Sequence, residues 1–331
     1  MTSPRPPKLS VLELVPVREG ATVGAALVDA AALAQTAEAA SYNRFWVAEH
    51  HGMDGVAGGA TSVVLAHIGA ATSTIRIGAG GIMLPNHNPF VIAEQFGTLD
   101  ALYPGRIDLG LGRAPGADMR IAQALRKDLG RASEYFPQDV VELRALFSGE
   151  PALALRATPG LDAAVELWIL GSSLFGAQLA AALGLPYAFA SHFAPDYLDQ
   201  ALALYRQKFQ PSATLDRPYA MAAMNVIAAD SDHEAVLLAS SIDQSFVALR
   251  SGNPGKLKPP VPNYRQSLPP GQLAMLEHMR QVSAVGSPTT VSTAIAQFVE
   301  RTGADEIIVS GATFDPAARQ HSLELTMQAL I

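Results

Sequence analysis

Residues Ile75–Arg113 read IRIGAGGIMLPNHNPFVIAEQFGTLDALYPGRIDLGLGR, and this stretch decides the fold. The apolar, β-compatible run Ile75–Met83 ends in polar residues. Pro89 then opens an amphipathic stretch running to about Leu102, as proline does at the first position of a helix. A second short apolar run, Ile107–Gly112, stops at Arg113. The pattern predicts a strand–helix–strand unit with polar chemistry at two successive strand ends. In parallel α/β folds, ligands sit at the carboxyl ends of strands. Gly80, Gly81, Asn86, His87 and Arg113 are therefore placed to converge on one pocket.

The same alternation continues on both sides. Strands are predicted at Leu9–Val15, Arg44–Ala48, Leu167–Leu170, Tyr187–Ala190, Tyr219–Ala228 and Glu306–Val309. Apolar residues at helical spacing predict helices at Ala25–Ala40, Ala60–Thr72, Phe136–Leu146, Leu174–Leu183, Asp196–Phe209, Asp232–Leu249, Val291–Thr302 and Ala317–Leu330. Eight strands, each followed by a helix, in 331 residues favour a closed (β/α)8 TIM barrel of the α/β class over an open doubly wound sheet. One barrel domain is expected to span residues 1–331. The rhythm breaks at residues 252–271 (GNPGKLKPPVPNYRQSLPPG), after the seventh strand. This segment is too rich in proline and glycine for a helix and too long for a turn. It is expected to be a mobile loop or lid, with a plain surface excursion as the alternative.

Composition narrows the function. Hydrophobic residues make up 49% and charged residues 16%, which suits a strongly packed globule. Thirty acidic residues against 23 basic give a formal charge of -7, and this argues against nucleic acid or an anionic membrane as partner. No segment offers the roughly 18 uninterrupted apolar residues of a membrane helix. The opening MTSPRPPKLS carries prolines where a signal peptide needs an apolar run, so the expected location is cytoplasmic. With no cysteine, disulfides, thiolate metal sites and a cysteine nucleophile are excluded.

Several short strings can carry chemistry. Glu49-His50-His51 follows the second strand; a histidine there can act as general base, with the carboxylate orienting its ring. A structural polar cap and half of a metal site are the alternatives, and no metal centre is expected. Gly80-Gly81 inside a strand suggests a bulge or a close approach by a ligand. Arg113 offers a forked donor suited to phosphate. Gly171-Ser172-Ser173 opens a helix, where free N–H groups and hydroxyls suit an anion, although serine is also an ordinary helix cap. His192, after the sixth strand, can stack on a planar ligand or be a hydrogen-bonded rim residue.

Taken together, FWVAEHHGM, the central string continued to RAPGAD, LWILGSSLFGAQLAAALGLPYAFASHFAP and ADEIIV resemble the bacterial luciferase-like monooxygenases, in particular their single-subunit relatives. The resemblance runs in order from about Leu9 to about Leu325. It implies a barrel that binds flavin mononucleotide (FMN) at the strand ends. A non-proline cis peptide packed on the flavin ring falls on Gly80-Gly81, and the catalytic histidine falls on His50, preceded by Glu49. The phosphate contacts fall on Arg113, Gly171, Ser172 and Ser173, and the ring's aromatic neighbour falls on or beside His192. Gly112 stands where luciferases proper have a reactive cysteine, so light emission is not implied.

The implied activity is a two-component monooxygenase. Reduced FMN comes from a separate flavin reductase, O2 is the co-substrate, a small organic molecule is oxidised, and the chain is a homodimer. The rivals are a deazaflavin-dependent oxidoreductase, a non-catalytic flavin-binding protein, and a metallohydrolase using His50, His51 and His87.

Overall fold

The computed structural model describes residues 7–114, 124, 129–149 and 155–330. Residues 1–6 and the APGAD string beyond Ala114, both used in the sequence reading, lie outside them. The chain order begins β1 (Lys8–Glu13), α1 (Val23–Ala39), β2 (Arg44–Val47), α2 (Thr61–Ala71), β3 (Arg76–Met83), α3 (Pro89–Leu102) and β4 (Ile107–Gly112). It continues with α4 (Leu129–Glu134), α5 (Phe136–Ser148), β5 (Glu166–Gly171), α6 (Leu174–Leu183), β6 (Tyr187–Phe189), α7 (Leu198–Lys208) and β7 (Ala220–Ala228). The last elements are α8 (Asp232–Arg250), α9 (Pro270–Met279), β8 (Ser283–Gly286), α10 (Pro288–Thr302), β9 (Glu306–Ser310) and α11 (Pro316–Gln328).

Strands β1 to β7 pair in sequence, all parallel, and β9 joins β7 to β1 to close an eight-stranded barrel. The expected (β/α)8 barrel is therefore the fold. β8 was not foreseen: SAVG is too short and too small to read as a strand alone. It pairs only with the second half of β7, Asn225↔Ser283 to Ala228↔Gly286, while the first half of β7 pairs with β9. The predicted eighth strand is thus the ninth in the chain. α9 was also missed, because its opening Pro270 reads as part of the proline-rich break; proline at a first helical position is compatible with a helix.

Period-two alternation sets the two layers. In β2, Phe45 and Val47 pack outward with the helices, while Trp46 turns into the barrel with Leu12, Trp168, Met221 and Ile308. Trp46 and Trp168 meet edge to face at 5.2 Å. Beneath them, Arg44 contacts Asp108, Glu166 and Glu306 at 2.8, 3.3 and 2.9 Å. Above them the interior opens into a cavity.

The 252–271 segment follows α8 rather than β7 itself. Leu257 N–H donates to the Val17 carbonyl at 2.9 Å, and Glu19 N–H donates to the Leu257 carbonyl at 2.8 Å. A Cβ on Gly55 would lie 2.0 Å from the Gly255 carbonyl oxygen, so the two backbones cross at a contact only glycine allows. Val261 N–H reaches Ser240 Oγ at 2.7 Å. The first half of the segment is thereby fastened to the loop after β1 and to α8. Among the described residues, no helix is long and apolar enough to cross a membrane.

Candidate active site

The cavity at the carboxyl end of the barrel has a volume of about 710 Å³. Nine of the twelve residues singled out in the sequence line it: Glu49, His50, Gly80, Gly81, Arg113, Gly171, Ser172, Ser173 and His192. Asn86, His51 and His87 do not.

One wall is bare backbone. The peptide between Gly80 and Gly81 is cis. A Cβ on Gly80 would lie 2.8 Å from Leu12 Cδ1 and 2.9 Å from Trp46 Cε3, and one on Gly81 would lie 2.6 Å from the Gly110 oxygen. Register with β4 shifts here, from Gly80↔Gly110 to Ile82↔Leu111, so Gly81 is the extra residue of a bulge. Any side chain at either position would displace Trp46 or collide with β4.

Glu49 is 1% exposed. Its Oε1 accepts from His51 Nε2 at 2.5 Å and from His87 Nε2 at 2.8 Å, and its Oε2 accepts Met83 N–H at 3.0 Å. Burial would raise its pKa, but the donors from His87, His51 and Met83 win and hold the carboxyl below the ordinary range. Of the two histidines that follow it, the ring Glu49 contacts is that of His51, because adjacent residues point apart, and through His87 and Met83 it ties the loop after β2 to the turn after β3. The histidines around it are His51 and His87, so the trio weighed for a metal, His50, His51 and His87, is not the one brought together. Glu49, His51 and His87 each place one ligand atom within 4.8 Å of the others. The 2.5 and 2.8 Å separations are hydrogen-bond lengths, shorter than the roughly 3.4 Å between donors sharing a tetrahedral zinc at about 2.1 Å.

His50 is held neutral: burial pushes its pKa below the ordinary value, against the pull of Glu49. Burial, helped by nearby His50, takes His192 down to about 4. The Nδ1 of each ring is buried with no partner among the described residues. The His192 ring meets Phe193 edge to face at 4.8 Å.

Arg113 projects just past β4. Its guanidinium carbon stands 4.2 Å from the centre of the Phe175 ring, which places it beside the first turn of α6. Ser173 is the residue before that helix, in extended conformation, and its hydroxyl makes no capping bond. Ser172, Ser173, Phe175 and Gly176 line the cavity with Arg113, and hydroxyls, a helix N-terminus and a guanidinium make a donor set suited to an anion.

Sequence reasoning missed other lining residues. Ile242, Phe246 and Leu249 recur at helical spacing on α8 and make an apolar wall, with Leu257 and Met279 beside them. Asn225 was passed over in β7, where a polar residue within a continuous apolar run was the available signal.

A family model described as luciferase-like monooxygenase matches residues 8–306. The chain is 50% identical over 319 residues to a luciferase-like monooxygenase of Escherichia coli strain K12, covering 96% of this chain and 95% of that protein. It is 39% identical over 188 residues to the N-acetyl-S-alkylcysteine monooxygenase of Bacillus subtilis strain 168, covering 55% of this chain and 56% of that one. The crystal structure of apo-MsnO8 has a TM-score of 0.88 at 34% identity and covers 98% of this chain and 99% of its own. The matches span the barrel and its cavity alike, and the chain belongs to the luciferase-like monooxygenase family of oxidoreductases.

Proposed function

We propose that the protein is a two-component monooxygenase that uses reduced FMN and O2 to oxidise a small, mainly apolar organic substrate. One observation carries the reading. An anion-suited donor set (Arg113, Ser172, Ser173) and a wall of bare backbone (Gly80-Gly81) share one cavity. That arrangement fits a ligand with a phosphate at one end and a flat ring at the other. When bound, reduced FMN supplies the activation of oxygen. Arg113 and the start of α6 hold the phosphate, with Gly171 giving the backbone room to approach. Gly80 and Gly81 lie against the ring, and His192 borders it.

His50, neutral and on the cavity wall, accepts or returns a proton at its imidazole ring. Glu49 does not reach the reacting atoms; it acts as a positioning residue that sets the loop carrying His50. The apolar wall of α8 and the fastened 252–258 segment form a lid that keeps water out, within one barrel domain. The reading brings with it a separate flavin reductase, a homodimer and a cytoplasmic location. An N-acetylated thioether, the class named for the Bacillus relative, is the first substrate to try.

The test is anaerobic titration with reduced FMN, followed by oxygen and the thioether, tracing 18O2 into product. One FMN per chain and one labelled oxygen atom per product are expected. Arg113→Ala should weaken FMN binding about 10- to 100-fold, the scale of a charge-assisted hydrogen bond. If neither redox form of FMN binds, the FMN assignment fails and the deazaflavin becomes the cofactor to titrate. FMN that binds but drives no oxidation of any substrate would leave a flavin-binding protein.

A further inference from the structure

β7 reads AMAAMNVIA, and Asn225 alone interrupts its apolar run. The residue is 2% exposed. Its Nδ2 donates to the main-chain oxygen of His192 at 2.5 Å. That bond fixes the amide, because turning it over would bring two oxygens to the same short distance. Oδ1 is left buried without a partner among the described residues, in a residue that lines the cavity. Native proteins leave few such atoms, and each calls for a reason.

The ring of His192 lines the same wall and has its own partnerless Nδ1. A neutral imidazole carries one donor and one acceptor. Asn225 sits in β7 and His192 in the turn after β6, and Ser191 Oγ donates to the Ala223 carbonyl at 2.6 Å, tying that turn to β7 beside the Asn225 bond. One cavity wall therefore joins a residue with a partnerless acceptor to a residue whose ring can donate. A carboxylate has no proton to offer Oδ1, and a hydrocarbon would leave both groups unpaired.

We propose that Asn225 and His192 form a recognition site for an N–H flanked by a carbonyl, with Asn225 Oδ1 accepting the N–H and the His192 ring donating to the carbonyl oxygen. Two ligands of the proposed reaction carry that chemistry: the imide edge of the flavin ring and a secondary amide of the substrate. The choice of probes rests on the FMN reading above; the partnerless atoms do not.

The test compares ligands that differ only in this N–H. Oxidised FMN and its N3-methylated derivative are titrated by fluorescence quenching. If the flavin edge is the ligand, methylation weakens binding to the wild-type protein about tenfold, the scale of one lost buried hydrogen bond. Asn225→Ala then weakens FMN by a similar factor and equalises the two flavins. If the substrate amide is the ligand, the two flavins bind the wild-type protein alike. Calorimetry on the FMN-loaded protein then finds N-acetyl-S-propylcysteine bound about tenfold tighter than its analogue with an ester oxygen for the N–H. Asn225→Ala abolishes that preference. The wild-type comparisons need no variant, so a misfolded Asn225→Ala leaves the test intact. Equal binding in both comparisons overturns the proposal. Should no flavin bind at all, the FMN reading falls, and the amide–ester comparison on the free protein still decides this one.

Discussion

At the N-terminal end of the barrel, Arg44 meets Asp108, Glu166 and Glu306; at the C-terminal mouth, His50, His192 and Asn225 each keep a buried polar atom without a partner among the described residues. Around Arg44 the pairing is saturated. Trp46 Nε1 donates to Asp108, Trp168 Nε1 to Glu166 and Tyr219 Oη to Glu306, each at 2.8 Å, and Arg76 adds a second cation on Asp108. Burial disfavours the Arg44 charge, but Asp108, Glu306 and Glu166 more than offset this and keep it protonated. The mouth has no such closure. One end of the barrel satisfies its own polar groups and contributes to the fold; the other, where ligands of such barrels bind, leaves three buried atoms without a partner among the described residues.

The largest effect is expected from breaking the saturated end. Arg44→Met leaves Asp108 and Glu306, both fully buried, without their main counter-charge. Removing one partner of a buried ion pair costs about 3–5 kcal/mol. Urea unfolding should therefore show a midpoint far below that of the wild-type protein. A loss under about 1 kcal/mol, the scale of an exposed pair, would mean that the carboxylates relax or protonate without consequence.

The next test uses pH to separate the ends. His192 titrates at about 4 in the folded chain and near 6.5 when unfolded. Between those values the unfolded chain binds a proton that the native one refuses, so stability rises with pH across the window. Read downward, it is lost between pH 6.5 and 4, by up to about 3 kcal/mol for this group. His50 shifts in the same direction. His192→Leu should flatten that part of the curve when urea midpoints are compared at pH 7 and pH 4.5. An unchanged slope would show that the ring reaches water in the folded protein.

The two ends also differ in how far the sequence disclosed them. Gly80-Gly81, Arg113 and the serines before α6 were legible because each is a local anomaly: glycine inside a strand, or a polar residue where an apolar run stops. The barrel was legible because its strands and helices repeat in chain order. Arg44, Asp108, Glu166 and Glu306 were not, since each is a lone charge at the start of a different strand and only closure of the barrel unites them. Glu49 shows the same limit. The sequence left its partner open between His50 and His51; alternation along the chain selected His51, and His87 arrived from the loop after β3. β8 was invisible because its pairing depends on the extra length of β7.

The smallest stability change is expected at the residue with the largest proposed role in chemistry. His50 has a buried Nδ1 without a partner, so His50→Leu exchanges a frustrated polar ring for an apolar side chain that needs no hydrogen bond. Replacing an unsatisfied buried group by an apolar one is nearly neutral or stabilising. The urea-unfolding free energy should stay within about 1 kcal/mol of wild type or rise slightly. FMN affinity should hold, while product formation falls by about 100-fold or more, the usual scale of general acid–base help. The comparison with Arg44→Met is the informative part, because both positions are buried and polar. If His50→Leu costs as much as breaking the Arg44 cluster, the ring has partners in solution, such as bound water, and the mouth is as well satisfied as the base. If it costs nothing, the open hydrogen bonds at the mouth are kept for the ligand and add nothing to the fold.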